Sequence, residues 1–244
     1  VIVTGCRVGE IYHGGYSQLA KVKKEFLVKK PKSLSTKESM IIGTAGFTAL
    51  LCAFAVNARE EILLGEKVND VLVTGATGGV GTIAVMALSK LGYNVTAVTG
   101  KVENAELLKK LGAKNVVNRS EFEGETKLLG KAMWDGVVDT VGGNVLAHAI
   151  SQTKHSGIVA ACGNAGGIKL NTNVMPFILR GVKLWGIDSI QVSMKRREFI
   201  WSQVDRLVDF KVLEEIVQII NMEELMSIFP KMLKGQTSGR IVVD

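Results

Sequence analysis

The chain has 244 residues, 47% of them hydrophobic and 22% charged, with a formal net charge of +7. This is the composition of a soluble globular protein with room for a substantial core. Its apolar runs are short and interrupted, so no membrane span is expected, and no signal or transit segment is recognisable at the start. Cys6, Cys52 and Cys162 are far apart in sequence and form no C-x-x-C pair. That spacing argues against a disulfide framework or a zinc cluster and fits a reducing cytoplasm. The bases are dispersed, and the densest cluster, MKRRE at 194–198, reads as a solvated helix face. No aromatic or basic recognition motif accompanies it, so nucleic acid is not the expected partner.

In chain order, residues 1–30 read as β-rich, with a proline stop after VKK. The chain opens on Val1, in what reads as the middle of a strand and loop, so an N-terminal part is expected to be absent. From Ser35 a helical stretch runs through ALLCAFAV, with a bend expected at Gly43 and Gly46. Strand and helix then alternate. Strands are expected at 68–75, 94–100, 115–118, 134–142, 157–163 and 181–189. Helices are expected at 79–92, 104–113 and 127–133 and between the strands at 134–142 and 157–163. Such alternation is the pattern of a doubly wound parallel sheet. An amphipathic helix at 194–210, a second at 221–235 and a closing strand, GRIVVD, complete the chain. That strand is expected to pair with the β material of 1–30.

The stretch VLVTGATGGVGTIAV places a glycine turn between a strand and a helix, the context that a dinucleotide fingerprint requires. Gly75 ends the strand, Gly78 and Gly79 let the backbone approach a pyrophosphate, and Gly81 lets helix and sheet pack closely. The helix N-terminus adds free N–H groups and a partial positive charge. No Gly-Lys-Ser/Thr follows, so this is not a P-loop; a methyltransferase turn and a ligand-free tight turn remain as alternatives. At the end of the next strand, where NAD sites usually carry an acid, stand Thr99, Gly100 and Lys101. A hydroxyl, a small residue and an ammonium suit a 2′-phosphate, which makes NADPH the expected cofactor. Arg119, just after the third strand, is a second candidate cation. The alternative for both bases is an ordinary solvated side chain.

The motifs MIIGTAGFTALLC, VTGATGGVGTIAV, LGYNVTAVTGK, LKKLGAKNVVNRSEF, DGVVDTVGG, VAACGNAGG, NTNVMPFILRGVKLWGIDS and KGQTSGRIVVD occur in this order. Together they resemble the zinc-independent, quinone-oxidoreductase-like branch of the medium-chain dehydrogenase/reductases, and within it the acryloyl-CoA reductase subgroup. The resemblance covers essentially the whole chain. It implies a Rossmann NADP-binding domain over 35–205. It also implies the remaining part of a GroES-like β domain, at 1–34 and 206–244. It implies a homodimer joined through the edge strand GVKLWGIDS, and a small-molecule substrate that is an enoyl-CoA or a quinone.

Carried over residue by residue, the resemblance assigns Gly78, Gly79 and Val80 to the pyrophosphate turn and Thr99, Gly100, Lys101 and Arg119 to the 2′-phosphate. It assigns Ile178 and Ser189 to the nicotinamide half, and Asn164, after AACG, to the ligand-binding carboxyl end of a strand. Thr44, in the bend between lobes, faces the nicotinamide or is a helix-internal hydroxyl; Gly235 and Gln236 are weaker candidates. The subgroup more often has arginine where Lys101 stands, which keeps the charge and loses the planar fork. His13 reads as a loop histidine rather than a proton donor, and His148 and His155 as structural. The cysteine ligand of the zinc branch is missing from IIGTAG, and Cys52 reads as helix core, so no metal is expected. The implied reaction is NADPH-dependent reduction of an activated C=C bond, as in acryloyl-CoA to propionyl-CoA. Alternatives are a quinone or enone reductase and a nucleotide- or RNA-binding protein without catalysis.

Overall fold

The computed structural model describes residues 1–58 and 69–244. The first thirty residues form isolated bridges, Ile2 to Val28 and Val8 to Tyr12, and no strand, contrary to the β-rich expectation. Helix α1, Thr36–Val56, starts on a capping box in which Glu38 N–H donates to Ser35 Oγ and Ser35 N–H to the Glu38 carboxylate. It bends at Gly43, whose φ of 50° and ψ of −156° suit glycine. Its length and apolarity alone would suit a bilayer, but 72% of its most apolar stretch is buried inside the protein.

The alternating region then follows. It comprises β1 (Asp70–Thr74), α2 (Gly79–Lys90), β2 (Asn94–Thr99), α3 (Ala105–Lys110), β3 (Ala113–Asn118), β4 (Trp134–Asp139), α4 (Gly143–Ser151), β5 (Thr153–Ala161), α5 (Met175–Arg180) and β6 (Lys183–Gly186). The six strands form one parallel sheet in the order β3-β2-β1-β4-β5-β6. Strand side chains alternate between faces. Val71, Val73, Val95, Ala97 and Val138 pack with α1 and α2 on one face. Leu72, Val98, Val137 and Val159 pack with Val145, Leu146 and Ile150 of α4 on the other. Burial on both faces explains why these strands read as unbroken apolar runs.

Three expectations are corrected. Residues 127–133 are not helical: Gly130 N–H donates to Ser151 O and Met133 N–H to Gln152 O, so the end of α4 takes the donors that a helix would use. The amphipathic run at 194–210 is broken into α6 (Met194–Ser202) and α7 (Val204–Leu207), with α8 (Phe210–Leu213) after it. The closing strand β8, Arg240–Val243, pairs in parallel with β7, Val217–Ile220, rather than with residues 1–30. Helix α9, Leu225–Leu233, covers this pair through Leu225 and Ile228.

Candidate functional site

The sheet order reverses direction between β1 and β4, and ligands of doubly wound sheets bind at the carboxyl ends of the strands flanking that point. Here the chain leaves β1 through Gly75, with φ 60°; a Cβ on it would lie 2.2 Å from Thr140 Oγ1. A Cβ on Gly81 would lie 2.3 Å from Gly75 O and 2.6 Å from Ala76 Cα. Both glycines are demanded by close packing. Gly78 caps α2 in an extended conformation, and the first-turn amides at Gly79, Val80 and Gly81 have no carbonyl partner within the helix. The side chain of Val80 packs on the core, so its backbone is what it can offer a ligand.

A cavity of about 730 Å³ opens beside this turn. Gly75, Thr77 and Gly78 line it, together with Thr99, Gly100, Lys101 and Arg119, Thr140 and Val141, and the loop before β8 including Gly235. Thr99 is buried; its hydroxyl accepts from Lys101 N–H at 3.0 Å and shares a hydrogen bond with Thr77 Oγ1 at 2.9 Å. These bonds fix the strand end where it lines the cavity. The Arg119 guanidinium lies over Gly100, where a Cβ would sit 3.4 Å from Cζ. Its partner Glu123, at 3.8 Å, is an exposed pair of the kind worth about 0–1 kcal/mol, too weak to hold it from an anion. Lys101 is not a free solvated lysine. Its Nζ donates to Thr237 O at 2.7 Å and to Ser238 Oγ at 3.1 Å. An ammonium has three donors, so one remains for a ligand in the cavity.

Below the cavity, Asp139 is fully buried, and burial pushes its carboxyl above the ordinary carboxylate range. It accepts from Thr74 Oγ1 at 2.6 Å and from Gly142 N–H at 2.8 Å, while Thr140 Oγ1 donates to Thr74 O at 2.9 Å. This network ties the ends of β1 and β4 together at the reversal point. The sequence reading gave Asp139 no role; an acid in an apolar strand just before V-G-G was the available signal.

The remaining candidates lie elsewhere. Thr44 is exposed just after the Gly43 bend and faces a second cavity, about 350 Å³, shared with Thr4, Gly5, Gly14 and Gly15. It is helical, within α1, and its exposed side opens on that cavity. Asn164 lines a shallow depression at the ends of β5 and β6 with Cys162, Gly163 and Asp188. Ile178 is 68% exposed on α5 and lines neither cavity. It shares that exposure with Leu179 of the same helix and with Leu184 and Trp185 of the edge strand β6. Ser189 follows β6, and its carbonyl accepts from Arg197. His13 lines a third, open cavity with Tyr16 and Lys21, and Gln236 N–H donates to Lys231 O. His148 stacks edge-on against Phe122, and His155 Nδ1 meets Ser156 Oγ.

The solvated face expected for MKRRE holds for Lys195 and Arg196 but not for Arg197, which is completely buried. Its spacing to Ile200, Trp201 and Val204, all buried, is that of one helix face and was the signal for it. Among the described residues, no group of three His, Cys, Asp or Glu could hold a metal ion. Cys52 and Cys162 meet in the core, and that contact together with burial raises the Cys52 thiol well above its ordinary value; all three cysteines are free.

A glycine turn, a helix N-terminus and two cations, at the ends of β2 and β3, set at the reversal point of a β3-β2-β1-β4-β5-β6 sheet, define a dinucleotide-binding fold. The zinc-binding dehydrogenase family model matches residues 79–206. The chain is 45% identical to acrylyl-CoA reductase AcuI of Ruegeria pomeroyi, over all of this chain and 73% of that protein. It is 42% identical to the putative quinone oxidoreductase YhfP of Bacillus subtilis, over all of this chain and 73% of that one. The crystal structure of YhfP with NAD bound superposes with a TM-score of 0.90 at 40% identity, covering 99% of this chain and 73% of YhfP. The yhdH oxidoreductase of Salmonella enterica in complex with NADP gives a TM-score of 0.93 at 41% identity, covering 99% and 74%. The chain belongs to the zinc-binding dehydrogenase family of medium-chain oxidoreductases, in the group that holds these acrylyl-CoA reductase and quinone oxidoreductase relatives.

Proposed function

We propose that this protein is an NADPH-dependent oxidoreductase that reduces the activated C=C bond of an enoyl thioester, with acryloyl-CoA to propionyl-CoA as the reaction. The observation that carries the cofactor is the pair Lys101 and Arg119 on one wall of the glycine-turn cavity, at the strand end where an NAD site would carry an acid. The residues fit the whole cofactor. The amides of Gly79 and Val80 and the N-terminus of α2 receive the pyrophosphate, and the two cations receive the 2′-phosphate. NADPH, when bound, supplies the hydride. The chain's own part is to hold the cofactor against the sheet, with Asn164 and Ser189 toward its nicotinamide half, and to present Thr44 from the bend of α1. The family's description names zinc, but the described residues offer no ligand cluster, and no step is assigned to a metal.

The substrate reading is supported by the acrylyl-CoA reductase relative; the quinone oxidoreductase relative favours reduction of a quinone or enone as the second reading. Following NADPH absorbance with acryloyl-CoA and with a simple quinone separates them. Turnover of the thioester at far lower concentration than the quinone is expected. Equal use of both would sink the thioester assignment, and NADPH binding without turnover of either would sink the reductase.

We assign residues 35–205 to the nucleotide-binding lobe and 1–34 with 206–244 to a catalytic, GroES-like lobe, in a cytoplasmic homodimer. The pairing β7–β8, separate from the six-stranded sheet, supports the first, and the exposed edge strand β6 supports the second. Trp185→Lys on that edge is expected to convert a sedimenting dimer into a monomer; an unchanged sedimentation coefficient would remove the edge from the interface.

A further inference from the structure

Arg197 is completely buried on α6, and all its hydrogen bonds run to uncharged oxygens. Nε donates to Val192 O at 3.2 Å. Nη1 donates to Thr4 O at 2.7 Å and Thr4 Oγ1 at 3.2 Å, and Nη2 to Ser189 O at 3.0 Å and Ile190 O at 2.7 Å. The guanidinium carbon lies 5.1 Å from the centre of the Phe47 ring. A desolvated charge is costly, and full satisfaction of its donors is what makes it tolerable.

The acceptors come from two segments far apart in sequence, the N-terminal stretch at Thr4 and the loop at 189–192. The two segments also meet directly, since Cys6 N–H donates to Ile190 O at 3.1 Å. Gly5 completes the fit. With φ +67°, its Cβ would lie 2.5 Å from Arg197 Nη2 and 2.8 Å from Ser189 O. Thr4 and Gly5 form one wall of the cavity that Thr44 faces. Thr4 is 7% exposed, and its hydroxyl oxygen accepts from Arg197. Its own hydrogen is left over, and no acceptor for it occurs among the described residues. A buried hydroxyl with an unused hydrogen beside a cavity is a donor waiting for a ligand.

We propose that Arg197 is a positioning residue for the reacting end of the cleft, holding Thr4 so that its hydroxyl hydrogen meets the carbonyl oxygen of a substrate bound between Thr4 and Thr44. The inference rests on the reductase reading above, in which hydride addition to a conjugated double bond moves negative charge onto that oxygen. A donor placed there lowers the barrier, and its contribution appears in kcat.

The test uses the full-length gene product with NADPH and whichever of acryloyl-CoA or the quinone it reduces better. Thr4→Val is expected to lower kcat by about 100-fold with little change in KM, as for loss of one oxyanion donor, and Thr4→Ser to recover most of it. Arg197→Lys, which loses the planar fork, is expected to lower kcat about tenfold and to leave the NADPH dissociation constant unchanged. It is also expected to speed hydrogen exchange in peptides covering residues 1–11, where the Cys6 amide reports the junction. Arg196→Ala, on the exposed side of the same helix, leaves all of these as in the parent. Parent-like kcat in Thr4→Val overturns the donor role, and parent-like exchange in Arg197→Lys overturns the positioning role. A parent that reduces neither acceptor overturns the reductase reading and with it the role of Thr4, while exchange at residues 1–11 still decides Arg197.

Discussion

Gly81→Ala lowers the unfolding midpoint by roughly 10 °C and abolishes tight dinucleotide binding. The methyl group would sit 2.3 Å from Gly75 O and 2.6 Å from Ala76 Cα, both backbone atoms of the turn that the cavity is built on. No rotamer change relieves a clash with backbone, so α2 must move away from β1. Overpacking of this kind costs about 3 kcal/mol, which in a chain of this size corresponds to roughly 10 °C. The same displacement carries the first-turn amides out of line with a pyrophosphate. Gly15→Ala is the matching control, since its added Cβ meets nothing within 4 Å and its midpoint should not move. Thermal denaturation and NADPH fluorescence titration read both effects. A Gly81→Ala protein with an unchanged midpoint would show that the turn is looser than its geometry.

Lys101→Asp reverses the cofactor preference. Removing a charge-assisted phosphate contact and facing the 2′-phosphate with a carboxylate costs about 3 kcal/mol, some two decades in NADPH affinity. The new carboxylate has the chemistry that accepts from a ribose 2′-hydroxyl, so NADH affinity should rise. Lys101 also tethers Thr237 and Ser238, so the variant loosens the loop before β8. Lys101→Met separates the two effects, because it loses the tether without adding repulsion. Titration with both nucleotides gives the ratio. An unchanged ratio in Lys101→Asp would mean that the strand end does not read the 2′-phosphate, leaving the NAD carried by the YhfP structure as the better guide.

Much of the nucleotide-binding architecture was legible because its signals are local. The runs at β1, β2 and β4 are buried on both faces, and each is followed by a glycine, of which Gly75 and Gly142 have positive φ. What was illegible depends on distant partners. KLLGKAM has helical spacing, yet the end of α4 claims its donors. The partner of β8 is a short strand, VQII, whose exposed Gln218 and Ile219 hide the alternation that would announce it. The place of Lys101 at the end of the second strand marks it as a phosphate ligand, while its tether to Thr237, 136 residues away, has no local signature. Ile178 comes from family position alone, because nothing in its local sequence marks an exposed isoleucine on α5 as a cofactor contact.

Arg240 gives the fold a temporal constraint. Its Nε donates to Ile41 O and its Nη2 to Ile42 O, the carbonyls beside the Gly43 bend, and its Nη1 lies where a Cβ on Gly79 would be 2.5 Å away. The bend of α1 and the first turn of α2 are thus finished by a residue that follows Ile41 by 199 positions. At ribosomal rates of 5–20 residues per second, roughly 10–40 s separate the synthesis of the two. The last strand of the sheet ends at Gly186, 54 residues before Arg240, so the sheet's residues are all made about 3–11 s before the residue that gives the cofactor turn its last support.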